Sequence, residues 1–519
     1  MTVTAVIKKN TYLDSVSLMS ISTKANGIDG VDQAFVAMAT EMNKGVLENL
    51  DLLTPELRDA ANGDLMIVAV TSDGVDVDGT IAAIEELLVR KAPTGGAADI
   101  RHRTIAAAVE ADPDANLAIV AVNGSYAARE ARKALENDLH VMMFSDNVPV
   151  EDEIALKALA HSKGLLMMGP DCGTAIINGT GLCFANAVRR GSIGIVAASG
   201  TGSQEVSVRI HALGGGVSQL IGTGGRDLSA QVGGVMMIDG IRALAADEDT
   251  AAIVLVSKPP APEVEQKVLA EIAAAGKPVV VYFIGGSEEA VTGAGGHFAA
   301  SSQDAALQAV RLVVDATASV PQLDPAAVSA VVDRLAPGQR YVRGLFSGGT
   351  LCDESMYALL DAGDEVWSNI QKNPDYVVHA GDASRGHTFL DFGDDEFTNG
   401  RPHPMIDPSL RLERLVREAD DDTVAVIVMD FVLGFGAHED PVGVTLPAIA
   451  QAQRTAADAG RHLEIVGYVL GTDLDDPTLS AQVAALEAAG VTVTRSSTET
   501  GAFVRAVAQE ASVRKESRA

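Results

Sequence analysis

Two stretches of this chain carry the same motifs in the same order, and this internal repeat limits the fold more than any other feature. Each stretch has an apolar run followed by a Ser-Gly segment, SGTGSQE at residues 199–205 and SGGTLCDE at residues 347–354. Three further pairs match in order: GTGGRD with DFGDD, MID with MID, and DTAAIV with DTVAVI. The repeat predicts two homologous flavodoxin-like halves, with an insertion of about twenty residues in the second.

The whole chain alternates apolar runs of strand length with helical segments, which predicts an α/β protein built from several doubly wound parallel-sheet domains. A Rossmann-like domain precedes the two halves in this interpretation, and a small N-terminal α/β unit precedes that domain. The predicted boundaries are 1–97, 98–188, 189–320 and 338–512, with a first linker in the Gly- and Pro-containing segment 91–98.

The composition excludes several classes of function. The chain has 70 Asp plus Glu against 39 Lys plus Arg, a formal net charge of −31, which disfavours nucleic acid as a partner. It has no apolar run long enough for a membrane span, and its three cysteines fit a reducing cytoplasm better than a disulfide framework. No spacing of His, Cys and carboxylates predicts a metal site.

The two Ser-Gly segments are candidate phosphate-binding loops. Each follows a predicted strand and opens a helix, where free backbone N–H groups and the helix dipole favour an anion. The alternative is a tight strand-to-helix turn with a Ser or Thr cap. The candidate donors are Ser199, Gly200, Thr201 and Gly202 in the first half and Ser347, Gly348, Gly349 and Thr350 in the second.

The next strand end differs between the two halves. The second half has the loop DFVLGFGAHED, in which Gly434, Gly436 and Ala437 are further candidates for an N–H cradle. The first half has SKPPAP, where Lys258 offers a cation. The prolines are also explained as the start of a helix.

The order of these pieces resembles the succinyl-CoA synthetases. Residues 139–180 are similar to the end of the CoA-binding domain of the α chain, residues 191–300 to its ligase domain, and residues 341–512 to the ligase domain of the β chain. Nearly the whole chain resembles the FdrA proteins, which join both ligase-type domains behind a distinct N-terminal unit. The motifs that carry this resemblance are VMMFSDNV, GLLMMGPDCGT, ASGTGSQE, GTGGRDLS, VSKPPA, SGGTL, GRPHPMIDP and GFGAHEDP.

The succinyl-CoA synthetase resemblance implies two helix N-termini that face a phosphohistidine, with Ser199, Gly200 and Thr201 on one and Gly434, Gly436 and Ala437 on the other. His297, in GAGGHFA, is the candidate histidine, but Lys258 stands near the place where that family has a partner glutamate. The sequence shows no Gly-rich nucleotide loop over residues 64–115, no ATP-grasp domain and no P-loop. It therefore requires no cofactor, and CoA stays open as a ligand.

The FdrA resemblance implies an oxamate carbamoyltransferase subunit, which converts oxalurate and phosphate to oxamate and carbamoyl phosphate. Arg226 and Arg401 are candidates to bind a substrate carboxylate, because guanidinium pairs with it bidentately; a surface ion pair is the alternative for each. The remaining pocket candidates are Cys172, Gly224, Gly225, Asp227 and His403.

We therefore expect a cytoplasmic enzyme subunit that binds an acyl or carbamoyl phosphate and a small carboxylate, with partner subunits or as a homo-oligomer. Two alternatives stay open at this point. One is an acyl-CoA synthetase that acts through a phosphohistidine, and the other is a non-catalytic scaffold.

Overall fold

The computed structural model describes residues 2–9, 11, 15–26, 28, 30–40, 43–44, 47–48, 52–61, 63–72, 75–89, 102–398 and 401–518. The chain forms two compact units, residues 1–101 with 400–402 and residues 102–399 with 403–519. The predicted linker 91–98 lies outside the described residues. Within the described residues, no helix is both long enough and apolar enough to cross a bilayer.

The first unit is a small antiparallel sheet with helices. Its elements are β1 (Thr2–Lys8), α1 (Ser15–Asn26), β2 (Val31–Met38), α2 (Pro55–Arg58), β3 (Leu65–Thr71) and α3 (Val77–Val89). Strand β3 lies between β1 and β2 and is antiparallel to both. It is buried along its whole length because apolar residues cover both of its faces. The predicted N-terminal α/β unit is confirmed.

The second unit begins with a three-stranded parallel sheet in the order β4-β5-β6. Its elements are α4 (Ile105–Ala111), β4 (Leu117–Val120), α5 (Gly124–Glu136), β5 (His140–Met143), α6 (Val150–Lys163) and β6 (Met167–Met168). Helix α6 ends at Gly164 in the left-handed conformation, a position that favours glycine. This part corresponds to the predicted Rossmann-like domain.

A seven-stranded sheet follows. Its elements are β7 (Thr174–Ile177), β8 (Thr180–Cys183), β9 (Arg190–Ala197), α7 (Gly200–Ala212), β10 (Val217–Gly222), α8 (Val235–Ala246), β11 (Ala252–Ser257), α9 (Pro262–Ala274), β12 (Val279–Phe283), α10 (Glu288–Gly293), β13 (His297–Phe298) and α11 (Ser302–Val313). The strand order is β13-β12-β11-β9-β10-β7-β8. The β7–β8 hairpin joins this sheet because β7 pairs antiparallel with β10, although the sequence placed it with the preceding domain.

A connecting helix, α12 (Pro325–Arg334), leads to a six-stranded parallel sheet in the order β15-β16-β14-β17-β18-β19. Its elements are β14 (Tyr341–Phe346), α13 (Gly349–Leu360), β15 (Val366–Ser368), β16 (His387–Asp391), α14 (Asp395–Thr398), α15 (Ser409–Glu418), β17 (Val424–Val432), α16 (Leu446–Asp458), β18 (Glu464–Leu470), α17 (Leu479–Ala488), β19 (Thr492–Thr494) and α18 (Ser497–Arg518).

The two large sheets share one topology. The order β13-β12-β11-β9-β10 matches β19-β18-β17-β14-β16 strand for strand, and β15 belongs to the predicted insertion. All these neighbouring pairs are parallel. The internal repeat and the α/β class are therefore confirmed, and α7 and α13 occupy equivalent places.

The two halves contact each other with an approximate two-fold relation. Glu205 on α7 accepts hydrogen bonds from the Tyr468 hydroxyl and the Ser497 backbone N–H of the second half. In the reverse direction, Glu354 on α13 accepts from the Tyr282 hydroxyl at 2.8 Å and the Ser302 N–H at 2.8 Å. These reciprocal contacts bring the two helices together and fix how their N-termini meet.

Candidate functional site

The N-termini of α7 and α13 lie side by side. The Ser199 and Thr350 hydroxyl oxygens are 2.5 Å apart, so one hydroxyl donates to the other across the two halves. A Cβ added to Gly348 would lie 2.9 Å from Cγ2 of Thr201, which shows how closely the two loops pack. The structure thus brings together the two Ser-Gly segments that the sequence singled out.

The N-terminus of α13 is filled by a carboxylate of the protein itself. Asp430, fully buried on β17, accepts from the Ser347 N–H at 2.8 Å, the Ser347 hydroxyl at 2.9 Å and the Gly348 N–H at 2.8 Å. The Arg411 guanidinium donates to the same carboxylate at 2.5 Å. The Ser347 and Gly348 amides are therefore engaged and do not offer an empty anion site.

A second carboxylate crowds the same end of α13. Asp391, at the end of β16, has Oδ2 2.6 Å from the place where a Cβ on Gly349 would stand. In the first half, the matching strand β10 ends at Gly222 and Thr223 follows it, and neither residue carries a carboxylate. The position that matches Asp430 is Ser257 on β11. The first half thus has no carboxylate at either equivalent position.

The N-terminus of α7 is open by comparison. Ser199 caps the helix by accepting from the Gly202 N–H at 3.0 Å. The amides of Gly200 and Thr201 belong to the first turn, where the helix has no carbonyl to offer them, and neither donates a hydrogen bond within the described part of the chain. Gly200 is exposed. This end of α7 is suited to bind an anion.

Thr174 provides a further donor beside this helix end. Its residue is 2% exposed, and its hydroxyl oxygen is buried and has no hydrogen-bond partner in the described residues. That oxygen is 3.9 Å from the place of a Cβ on Gly200. A buried unpaired hydroxyl costs about 1–3 kcal/mol, so an acceptor bound at this end of α7 would satisfy it.

Lys258 connects the two halves at the same edge. It follows β11, and its ammonium pairs with Asp353 on α13 at 3.1 Å while its side chain stays 56% exposed. Burial lowers the pKa of Lys258, but the carboxylates of Asp353 and Asp391 together outweigh it and raise that pKa above its usual value, so the ammonium stays cationic. The first half thus contributes a positive charge at the end of β11, beside α13 of the second half.

His297 does not approach these loops. It lies on the edge strand β13, is exposed, and pairs with Val280 near the start of β12 rather than at the carboxyl ends of the strands. Three strand spacings, roughly 14 Å, separate β13 from β9. The structure therefore does not place this histidine opposite the helix N-termini.

The loop of Gly434, Gly436 and Ala437 is closed by its neighbours. A Cβ on Gly434 would lie 2.4 Å from the Phe184 carbonyl oxygen, and the Phe435 N–H donates to the Ala185 carbonyl at 3.1 Å. The Ala437 N–H donates to Gly434 at 3.2 Å. This loop packs against residues 184 and 185 of the preceding segment, and the Phe435 and Ala437 amides are engaged there.

Arg226 and Asp227 connect the loop after β10 to helices α6 and α8. The Arg226 guanidinium pairs with Glu153 on α6 at 3.0 Å and donates to the Val148 carbonyl at 2.8 Å. Buried Asp227 pairs with Lys157 at 2.7 Å. Asp227 also accepts from two backbone amides at the start of α8, those of Met236 and Met237.

The other pocket candidates lie around the same edge, with one exception. Burial raises the pKa of the Cys172 thiol to about 12, which makes it a packing residue and not a thiolate nucleophile. Gly224 packs against the Pro170 carbonyl, and Gly225 lies beside Asp171. Arg401 is exposed and is assigned to the first compact unit, and its role stays a prediction.

His403 lies next to Asp391. A Cβ on Gly393 would be 2.7 Å from the His403 Nε2 and 3.1 Å from the Asp391 Oδ1. The Met405 N–H donates to the His403 Nδ1 at 3.2 Å. Burial and the Arg411 charge lower the pKa of His403 to about 4, so the ring is neutral with its proton on Nε2.

Sequence reasoning missed Thr174, Asp391 and Asp430. The repeat could have identified Asp391, because this residue aligns with Gly222 in the sequence motifs. A carboxylate in place of glycine changes what a loop can bind. Thr174 gave no signal of its own, since its position depends on a hairpin that joins the sheet from outside the repeat.

Comparison with known sequence families places three domains. The family described as CoA-ligase matches residues 345–507, and the family described as CoA binding domain matches residues 188–285. The second unit is therefore built of CoA-ligase and CoA-binding types of domain. The family described as AllF, heavy metal-associated domain matches residues 1–105.

The residues of the N-terminal unit do not fit a thiolate metal site. All three cysteines of the chain lie at position 172 or later, and residues 1–105 contain a single histidine, His102. In the parts of the chain that the structure describes, no group of three or more His, Cys, Asp or Glu side chains could hold a metal ion.

Similar proteins cover different parts of the chain. The succinate–CoA ligase [ADP-forming] subunit alpha 2 of Archaeoglobus fulgidus is 29% identical to this chain over an aligned segment. That segment makes up 34% of this chain and 60% of that protein. The apo dinucleotide-forming acetyl-coenzyme A synthetase 1 of Ca. Korarchaeum cryptofilum aligns with 82% of this chain and 90% of its own, at 16% identity and a TM-score of 0.30.

The uncharacterized protein YahF of Escherichia coli K12 is 60% identical over 97% of this chain and 98% of its own length. At that identity and coverage, the chain belongs to the same family as YahF.

Proposed function

We propose that this protein binds phosphate at the N-terminus of α7 and transfers an acyl group to or from it. The observation that carries the proposal is the difference between the two equivalent helix ends. Asp430 takes the Ser347 and Gly348 amides, and Asp391 adds a second carboxylate beside the first turn of α13. The end of α7 has no carboxylate at the equivalent positions, and it keeps free amides at Gly200 and Thr201 and an unpaired hydroxyl at Thr174. A single anion bound at α7 satisfies these donors.

The same donors suit the chemistry of an acyl phosphate. Negative charge builds up on the attacked carbonyl and on the phosphate during transfer, and fixed N–H and O–H donors stabilise it without reorganisation. Lys258 adds a positive charge from the neighbouring strand end.

The resemblance to FdrA proteins supplies the acyl group of the proposal. We propose carbamoyl transfer between oxalurate and phosphate, which gives oxamate and carbamoyl phosphate, in the cytoplasm and with partner subunits or as a homo-oligomer. This reaction needs neither CoA nor a nucleotide. A small carboxylate substrate enters beside Arg226, whose guanidinium is 44% exposed.

A second candidate is acyl-CoA ligation, and the CoA-ligase and CoA-binding family matches favour it. In that case CoA is the acyl acceptor, and a phosphohistidine would form on His297. The exposed edge-strand position of His297 argues against that intermediate. We expect His297→Ala to leave phosphate binding and turnover unchanged; loss of CoA-dependent thioester formation in this variant would favour the second candidate.

Phosphate binding to two variants tests the proposed site. Gly200→Ala places a methyl group among the donors, and Thr174→Val removes the free hydroxyl while keeping the shape. We expect each to weaken phosphate binding by about tenfold or more, the effect of losing one hydrogen bond to a charged group. Isothermal titration calorimetry with inorganic phosphate measures this.

Two controls separate binding from folding. Thr445 is a buried threonine whose hydroxyl donates to Pro441 at 2.8 Å, so Thr445→Val should lower stability and leave phosphate affinity unchanged. Gly293→Ala adds a methyl group on α10 where nothing lies within 4 Å. By contrast, Thr174→Val removes a hydroxyl that has no partner in the described residues and should be at least as stable as the parent without phosphate. Unchanged phosphate affinity in both Gly200→Ala and Thr174→Val would refute the proposed site.

A further inference from the structure

Asp391 is a buried carboxylate that phosphate binding does not use. It is 6% exposed, and its backbone is held by Asn369, whose side chain bonds both the Asp391 N–H at 2.9 Å and its carbonyl at 3.0 Å. Of its two carboxyl oxygens, Oδ1 accepts from the Gly393 N–H at 2.9 Å. The other, Oδ2, faces the first turn of α13. The group is thus fixed in position with one oxygen directed at the junction of the halves.

Its neighbours place it close to the proposed phosphate site. Gly349 packs on Asp391, and the adjacent Gly348 packs on Thr201 of the first half. Only the first turn of α13 therefore separates this carboxyl from the end of α7. The opposing half contributes Lys258 next to it.

The charged and titratable groups around Asp391 come from several elements: Lys258 after β11, Cys352 and Asp353 on α13, Asp394 after β16, and the neutral His403. Burial raises the pKa of Asp391 to about 7, against the opposing effects of Lys258 and the Gly393 N–H. A carboxyl group with such a pKa holds a proton part of the time at neutral pH and can give it up or take it back.

We propose that Asp391 donates a proton to the leaving nitrogen of the substrate, so that the site cleaves an acyl–nitrogen bond rather than a thioester. This inference rests on the proposed phosphate-dependent transfer. A phosphate oxygen forms a bond to the acyl carbon, the carbon–nitrogen bond breaks, and the nitrogen keeps its electron pair and takes the Asp391 proton. The proton that the phosphate loses restores the carboxylic acid.

The leaving group of the substrate decides whether the reaction needs an acid. An amide or ureide nitrogen is too basic to leave as an anion and has to be protonated as the bond breaks. A thiol, with a pKa near 8.5, leaves as the thiolate without help. A buried acid one helical turn from the proposed phosphate site therefore fits N-acyl substrates, whose leaving nitrogen would have to reach Asp391 past the first turn of α13.

The test compares two carbamoyl donors in the Asp391→Asn variant of the full chain, purified with any subunits that accompany it. With oxalurate and phosphate, we expect carbamoyl phosphate formation to fall by about 10²–10⁴-fold, the usual contribution of a general acid. With p-nitrophenyl carbamate and phosphate, whose phenolate leaves without a proton, we expect a loss of about threefold or less. Asp394→Asn, at the neighbouring carboxylate, should behave like the parent with both donors.

The outcomes separate this inference from the proposed function. An equal loss with both donors, or no loss with oxalurate, would overturn the role of Asp391 while phosphate-dependent transfer stands. A parent protein that binds phosphate in calorimetry but forms carbamoyl phosphate from neither donor would overturn both. Asp391→Asn itself should bind phosphate as the parent does, since Asp391 contacts none of the α7 donors.

Discussion

Replacing Asp430 with serine is expected to lower the free energy of unfolding by about 3–5 kcal/mol, the cost of breaking a buried charge pair. The change leaves the Arg411 guanidinium, 3% exposed, without its carboxylate. It also leaves the Ser347 and Gly348 amides without an acceptor. Serine is the residue that the first half has at the equivalent position, so the variant makes the two halves alike at this point.

Denaturant unfolding of the full chain in phosphate-free buffer measures this loss. Asp420→Ser, an exposed aspartate near the end of α15, is the control and should change the stability by about 0.5 kcal/mol or less. If Asp430→Ser were as stable as that control, the carboxylate would not be the group that fills the end of α13. The asymmetry between the two helix ends would then lose its basis.

Replacing Asp391 with asparagine is expected to stabilise the protein at pH 8 by about 2–4 kcal/mol and to have little effect at pH 4, judged from the shift of its pKa to about 7. The sign follows from the protons bound. Below pH 4 the carboxyl is protonated in the folded and unfolded states alike. Between pH 4 and pH 7 it ionises first in the unfolded chain, so its contribution to stability falls as pH rises, and above pH 7 the penalty is constant.

Unfolding curves at pH 4 and pH 8 measure this difference. Asparagine keeps an acceptor for the Gly393 N–H, so the neutral side chain fits the same place. Thr388→Val on the same strand removes an uncharged hydrogen bond to Arg385 and should cost the same at both pH values. An Asp391→Asn effect that is equal at pH 4 and pH 8 would contradict a raised pKa.

The repeat and the strand pattern were enough to predict the α/β class, the two equivalent halves and a Ser-Gly loop that opens a helix in each half. Periodicity reports which face of a strand or helix is buried, and strand ends carry glycines and serines that can be read directly. The resemblance set the loop at 199–201 opposite the loop of Gly434, Gly436 and Ala437, whereas the contact that the structure shows is between Ser199 and Thr350.

The sequence could not distinguish the two loops, because both are Ser-Gly turns that open a helix. Their difference comes from residues distant in the chain, Asp430 on β17 and Thr174 on β7, which tertiary packing brings to the helix ends. The position of His297 was also not available from its motif. The Gly-Gly-His spacing is the same for a histidine on a loop and for one on an edge strand.

The most direct test of the account is a crystal structure of the protein soaked in phosphate. We expect tetrahedral density at the N-terminus of α7, bound by the amides of Gly200 and Thr201 with the Thr174 hydroxyl beside it, and Asp430 still seated on α13. Density at the end of α13 in place of α7, or an empty α7 end at a phosphate concentration that saturates binding in solution, would contradict it.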